Sequence, residues 1–552
     1  VPDNFIIIAS PIVIFQNPDE KELWRDTIGC DVVPEYPLEE KGEPFYKEGL
    51  VFKGWDVEPH VHETPDTYYY TAVYEEKTDT TVENNWLCFT AEEAGSNVWY
   101  KNHNNNPDIQ YSIDEGKTWN TLEAMKKITL ENVGDKVYFR GNNRDGLSFE
   151  VSPYSDVVKK YTNFEMTGQI AASGSVMSLI DETGETTTIP CKRCFAELFY
   201  GCDALTKAPK LPAKILTEGC YENMFAACTK LTEAPELPAT KLSAACYKEM
   251  FSHCTSLEKA PLLPAKTLAD ECYYAMFSSC VHLTEAPELP ATEMAQYCYA
   301  IMFNGTSIKT SPALPAKKLA EGCYTGMFTS CKLTNAPALP AEEMANYCYH
   351  GMFYDCTSLL TPPELPAEKL AEGCYSMMFA NCTNLIVAPE LPTKTLAFGC
   401  YANMFNDCSS LTKAPELPAE NLIEECYNGM FTGCYNLNYI KVGVMSLDNE
   451  FYATENWVGG IDGPGVFVFP CGSTYDKHGN SEVPPLFEII SNKYTIGLSA
   501  SACDSFVYNG VTYHESKEWN DTLSTSYGCD SIVSHKIIIH NSIETEMNIK
   551  KE

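Results

Sequence analysis

Positive charge is scarce in this 552-residue chain: 39 Lys and Arg stand against 75 Asp and Glu, a formal charge of −36. That imbalance argues against nucleic acid or an anionic membrane as partner, since both reward basic patches. Long apolar runs are missing as well, and none reaches the ~18 residues of a spanning helix. The opening VPDNFIIIASPIVIF has a short apolar stretch but no basic n-region, so it reads as a strand and not as a signal peptide.

Catalytic constellations are equally wanting. HVHE (His60, Val61, His62, Glu63) places both histidines on one side of the glutamate, unlike the HExxH of a zinc protease. No G-x-S-x-G, P-loop or G-x-G-x-x-G lies in a strand–helix context. Carboxylate pairs such as Glu92 and Glu93 are too common in so acidic a chain to single out an acid and a base. No enzyme and no cofactor is expected.

What the chain does have is a repeat. A Cys-Tyr or Cys-Phe step recurs at Cys194, Cys220, Cys246, Cys272, Cys298, Cys323, Cys348, Cys374, Cys400 and Cys426, at intervals of 26 or 25 residues. Ten copies of that size mean a solenoid in which neighbouring turns bury each other's apolar faces. In the unit Leu231–Cys254, Pro235 and Pro238 forbid a helix and make the first part a short extended segment. Leu242, Cys246, Met250 and Cys254 then fall at i, i+4, i+8 and i+12, which predicts a helix carrying them on one stripe with Tyr247 and Phe251 beside it. The fold class expected is multi-domain: an α/β leucine-rich-repeat solenoid of about ten 26-residue turns, flanked by small all-β modules.

Both short intervals fall in the helix-to-strand connection, where a loop tolerates changes of length. Aligning Thr306, Ser307 and Ile308 with Thr229, Lys230 and Leu231 makes the residue lost there the second cysteine; near Cys331 the residue after the cysteine is lost instead.

Nineteen of the 25 cysteines belong to this pattern, so the count alone does not fix the redox compartment. Metal sites want close pairs with partners, whereas here the spacing is C-x7-C without histidine, and the only C-x2-C is CKRC at Cys191 and Cys194. A disulfide ladder is the second reading. Eight helical residues separate two side chains by about 12 Å, and a disulfide needs Cα atoms within about 7 Å, so the helix would have to end before Cys228. The third reading, preferred here, makes Cys220, Cys228, Cys246, Cys254, Cys272 and Cys280 small buried hydrophobes whose S–H meets a backbone carbonyl. Thiol labelling separates the last two.

Two columns are candidates for recognition. The residue between the paired prolines is Glu364, Glu390 and Glu416 in three successive repeats, an acidic row that would suit a basic protein or a divalent cation, or serve only as a solvated face. The tyrosines from Tyr221 to Tyr427 could stack on sugars, but their spacing to the following phenylalanine favours packing between adjacent helices.

The phrase GCYxxMFxxCTxLTxAPELPAxxLA resembles the BspA-like leucine-rich repeats of Bacteroidetes surface proteins. EGLVFKGWDVEPHVHETPDTYYYTAVYEEK (48–77) resembles a Listeria–Bacteroides repeat, and 87–181 resembles the β domain that often precedes such arrays. ENWVGGIDGPGVFVFP (455–470) is similar to their closing segment. The tail 502–539 resembles a short extracellular repeat, which implies a disulfide between Cys503 and Cys529. Expected modules are 1–84, 85–185 (sandwich-like), 186–440 (solenoid), 441–497 (cap) and 498–552.

The resemblance implies a cell-surface, outer-membrane or secreted location and a non-enzymatic role in adhesion. The ligand would be a protein or glycan of host or matrix. Two other roles fit the resemblance: an accessory lipoprotein working with outer-membrane transporter proteins in nutrient uptake, and a spacer in a surface lattice. No lipid-attachment cysteine stands at the start and no sorting domain is evident after Ile539, so the mode of anchoring stays open.

Overall fold

The computed structural model describes residues 12–16, 18–19, 21–27, 33–34, 36, 50–57, 59, 67–76, 85–102, 107–150, 159–448, 450–491, 495–523 and 531–540. The HVHE segment and Cys529 lie outside them. The chain divides into two compact units, 1–83 and 84–552.

In the first unit β1 (Ile12–Gln16), β2 (Glu22–Thr27), β3 (Leu50–Trp55) and β4 (Thr67–Glu76) form one sheet in the order β2-β1-β4-β3. Only the central pair, β1 and β4, runs parallel. Its core is aromatic: Phe15 lies 4.6 Å from Trp55 and 5.1 Å from Tyr70.

The second unit begins with two sheets. One contains β5 (Leu87–Ala91), β7 (Gln110–Ser112), β8 (Asn120–Thr121), β10 (Lys136–Arg140), β14 (Ile170–Ser173) and, from the first repeat, β15 (Leu205–Lys207). The other contains β6 (Ser96–Asn102), β9 (Ile128–Leu130) and β13 (Thr162–Thr167), with β11 (Phe149–Glu150) and β12 (Lys159–Lys160) paired separately. Phe89 and Phe164 join the sheets 5.4 Å apart, and Phe164 stacks on Phe199 of the first repeat. One buried apolar cluster therefore runs without a break from Leu87 to Phe487.

Where the four-residue spacing predicts a helix, the chain forms consecutive turns. In 217–228 the amides alternate. Glu222, Met224, Ala226 and Cys228 donate to carbonyls three residues back, whereas Gly219, Tyr221, Asn223, Phe225 and Ala227 donate to the next repeat, as in Tyr221 N to Cys246 O at 3.0 Å. Every fourth residue is left-handed: Gly219 has φ 60°, Asn223 54° and Ala227 59°. A helix would spend every interior amide internally and leave none for a neighbour. Here half the amides tie one coil to the next in the manner of a sheet. This corrects the α/β expectation: the molecule is a repeat protein rich in strands with several separate sheets, and among the described residues its one α-helix is α1 (Ser178–Asp181).

The four-residue period also keeps its columns straight. On a helix, four residues turn about 400°, so an exact four-residue spacing drifts by about 40° per step. In the turns it does not drift, and Cys220, Tyr221, Met224, Phe225 and Cys228 are all buried. Tyrosines stack on tyrosines and phenylalanines on phenylalanines from coil to coil, as in Tyr221–Tyr247 at 5.8 Å and Phe225–Phe251 at 5.6 Å, with rings within 4° of parallel. Both ladders end on Trp457, which is fully buried and donates its indole N–H to Glu482 O.

The fifth repeat corrects one alignment. Thr306 stands eight residues after Cys298, is 1 % exposed, and donates its hydroxyl to Phe303 O while lying 3.3 Å from Cys331 Sγ. The threonine therefore occupies the second-cysteine place, and the lost residue is in the loop that follows, as it is after Cys331.

On the opposite side, the extended segments of neighbouring repeats meet through isolated parallel bridges such as Glu233–Lys259 and Glu343–Lys369. They widen into a parallel sheet at the end of the array: β16 (Lys413–Leu417), β17 (Tyr439–Val442), β18 (Gly465–Val468) and β19 (Phe487–Ile490). Last in the chain, β20 (Thr495–Cys503) pairs in parallel with β24 (Ser531–His540), which pairs antiparallel with β23 (Lys517–Leu523); β21 (Phe506–Tyr508) and β22 (Val511–Tyr513) form a hairpin.

Candidate binding surface

In each Pro-x-Leu-Pro segment of the repeats the leucine and the residue after the second proline point inward while the residue between Pro and Leu points out. Leu365 and Leu391 are buried, and Glu364, Glu390 and Glu416 are exposed. Prolines on either side lack amide donors, so cross-coil hydrogen bonding is sparse here. Open grooves lie between consecutive coils. One of about 800 Å³ separates residues 386–392 from 412–418, and one of about 560 Å³ separates 362–366 from 389–392. The first is flanked by Glu390 and Glu416, the second by Glu364 and Glu390. A comparable groove between 233–238 and 259–264 carries Leu262, which is 81 % exposed where the first repeat has Lys210 and the others have glutamate or alanine.

Glu416 reaches Lys441 of the following coil at 3.1 Å, an exposed pair worth little in itself. Two neighbours escaped the sequence reading. Leu360 and the pair Ile386–Val387 stand exposed beside the grooves, where the equivalent residues in the second repeat are Thr232 and Glu233. The signal was present, because LIVAPELP breaks the LTEAPELP pattern.

The tyrosine column is inside the molecule, with Tyr221, Tyr247 and Tyr273 each 1 % exposed, so no sugar can reach it. The cysteines form two buried columns, and all nineteen in the repeats are free thiols. Cys220, Cys228, Cys246, Cys254, Cys272 and Cys280 are fully enclosed. The second cysteine of a repeat donates to a phenylalanine carbonyl of the coil before, as Cys228 does to Phe199 O at 3.1 Å, Cys254 to Phe225 O at 3.0 Å and Cys280 to Phe251 O at 3.1 Å. Burial pushes the Cys220 and Cys254 thiols up to about 12. Such thiols are inert in the folded chain. Cys503 is exposed on β20 with a free thiol, contrary to the disulfide implied with Cys529. Cys471 is disulfide-bonded.

Stacked turns, ring ladders and proline-flanked grooves define a class, the strand-rich repeat protein whose variable residues face outward. More narrowly, residues 188–304 and 322–456 match the family model of the BspA type leucine-rich repeat region in six copies, and over these residues the chain is a BspA-like leucine-rich-repeat protein. No curated protein matches the sequence. No helix among the described residues is long and apolar enough to cross a membrane.

Proposed function

We propose that this is a non-enzymatic binding protein of the cell surface or extracellular space, a leucine-rich-repeat solenoid carried between small β modules. Its proline-flanked face takes a protein ligand. The observation that carries this reading is the groove set between coils, where Glu364, Glu390 and Glu416 project beside exposed Leu360, Ile386 and Val387. An acidic row with apolar neighbours suits an extended, basic segment of a partner protein, whose lysines or arginines meet the carboxylates while its apolar side chains fill the grooves. The membership in a BspA-like family supports a surface role in protein binding or adhesion.

The experiment is a solid-phase binding screen of the full chain against extracellular-matrix proteins and a glycan array, repeated with Glu364→Lys/Glu390→Lys. A protein ligand lost by the double charge reversal at unchanged melting temperature supports the reading. A ligand that binds both forms equally, or no ligand on either panel together with self-association of the chain, overturns it.

A further inference from the structure

The single C-x2-C of the chain, Cys191-Lys192-Arg193-Cys194, sits where the leading β sheets join the first coil. Cys194 opens the inner cysteine column and is fully buried. Cys191 is half-buried, at a position that the next three repeats give to Thr217, Ser243 and Ala269. Only the first repeat puts a second thiol there. The two side chains hydrogen-bond each other, and Cys191 Sγ also donates to Asp145 O at 3.1 Å. Leu147 N in turn donates to Cys194 O at 3.0 Å. Gly146 lies over the pair with φ 92°; a Cβ there would stand 2.4 Å from Cys191 Sγ and 3.5 Å from Cys194 Cα. The loop 145–147 thus leaves a glycine-sized space that the thiol fills. Residues three apart in a turn have Cα atoms within about 7 Å, inside the range a disulfide can bridge.

We propose that Cys191 and Cys194 form a redox-active dithiol, oxidised by small-molecule disulfides to an intramolecular disulfide within the first coil, at the junction between the leading β sheets and the repeat stack.

The hydrogen bond from Cys194 holds the Cys191 thiol below its usual range, while the same bond and burial push Cys194 well up. That asymmetry assigns the roles. Cys191, the accessible thiol, loses its proton to solvent and attacks one sulfur of the oxidant, releasing one thiolate and leaving a mixed disulfide. Cys194 then loses its proton and attacks Cys191 Sγ, expelling the second thiolate. Two protein thiols become one disulfide, and one oxidant molecule becomes two thiols. On closure Cys191 gives up its S–H bond to Asp145 O.

The test uses the full chain in its native state with oxidised glutathione, followed by alkylation under denaturing conditions and peptide mass analysis. Cys503, exposed and free, reports whether the oxidant is active. The expected result is a Cys191–Cys194 link lighter by two hydrogens, two glutathiones released for each link, and repeat cysteines that stay alkylatable. Trypsin cuts between the two cysteines, so the linked peptides stay joined until reduced. Cys194→Ser should retain glutathione on Cys191; should that variant fail to fold, the wild-type readout decides alone. The proposal is overturned if Cys503 takes up glutathione while Cys191 and Cys194 both remain alkylatable. It is equally overturned if wild-type Cys191 keeps glutathione without resolution.

Discussion

A left-handed residue every fourth position is costly for any side chain but glycine, by about 1–2 kcal/mol each. The array tolerates it at Ala245 (φ 51°) and Glu249 (φ 53°) and avoids it at Gly322 and Gly373. At Gly373 a Cβ would also lie 2.4 Å from Tyr347 Cε1, in a ring whose hydroxyl donates to the Glu372 carboxylate. Two substitutions of opposite sign follow. Gly373→Ala should destabilise the array by about 2–3 kcal/mol, from the left-handed backbone together with the displaced ring. Ala245→Gly should stabilise by about 1 kcal/mol, since the backbone strain removed exceeds the entropy glycine adds to the unfolded chain. Thermal unfolding of both variants against wild type checks the pair. Equal shifts in the same direction would mean these positions are not strained.

At the scale of the element, the run of turns explains both what the sequence disclosed and what it concealed. Periodicity gave the repeat, its buried columns and its extended proline side, because these depend on which residues recur and at what interval. It did not give the turns, because a four-residue spacing also fits a helix over two steps, and only the backbone shows that alternate amides leave the coil. Gly219, Asn223, Gly322 and Gly373 were the available clue: glycine and asparagine recur at one place in the four-residue cycle. The candidate surface was legible as the outward position between prolines, whereas the grooves were not, since they exist only between two coils. The thiol columns carry a pH prediction. Burial pushes Cys331 and Cys426 up to about 11 and Cys298, Cys348 and Cys400 to about 12. A thiol whose folded pKa exceeds its unfolded value contributes stability that is complete below about 8.5 and is lost as pH rises through the folded value. Each such group costs about 1.4 kcal/mol per pH unit inside that window. Many acting together should unfold the array cooperatively between about pH 9 and 12, with the buried tyrosines adding in the same sense. Circular dichroism along an alkaline titration checks this, and a native signal persisting to the end of the window would contradict it.

For the whole molecule, stacking in one dimension makes the two ends decisive, because each coil is stabilised only by its neighbours. At the start, the apolar core of the β sheets passes directly into the first coil through Phe164 and Phe199. At the other end, Tyr427 and Phe431 both lie against Trp457, at 6.2 and 6.1 Å, and Trp457 leans on Phe467 of β18. One indole thus closes two ladders that run the length of the array. Trp457→Ala should cost about 3–5 kcal/mol, as for other large buried aromatics. Nearest-neighbour coupling confines the loss: hydrogen exchange should rise in the coils nearest residue 457 and fade toward the first repeats. Trp457→Phe, which keeps an aromatic ring at the end of the columns but loses the bond to Glu482 O and part of the indole's volume, should recover part of the protection. Uniform loss of protection along the array in Trp457→Ala would mean that it unfolds as one unit and that the tryptophan is not a local cap.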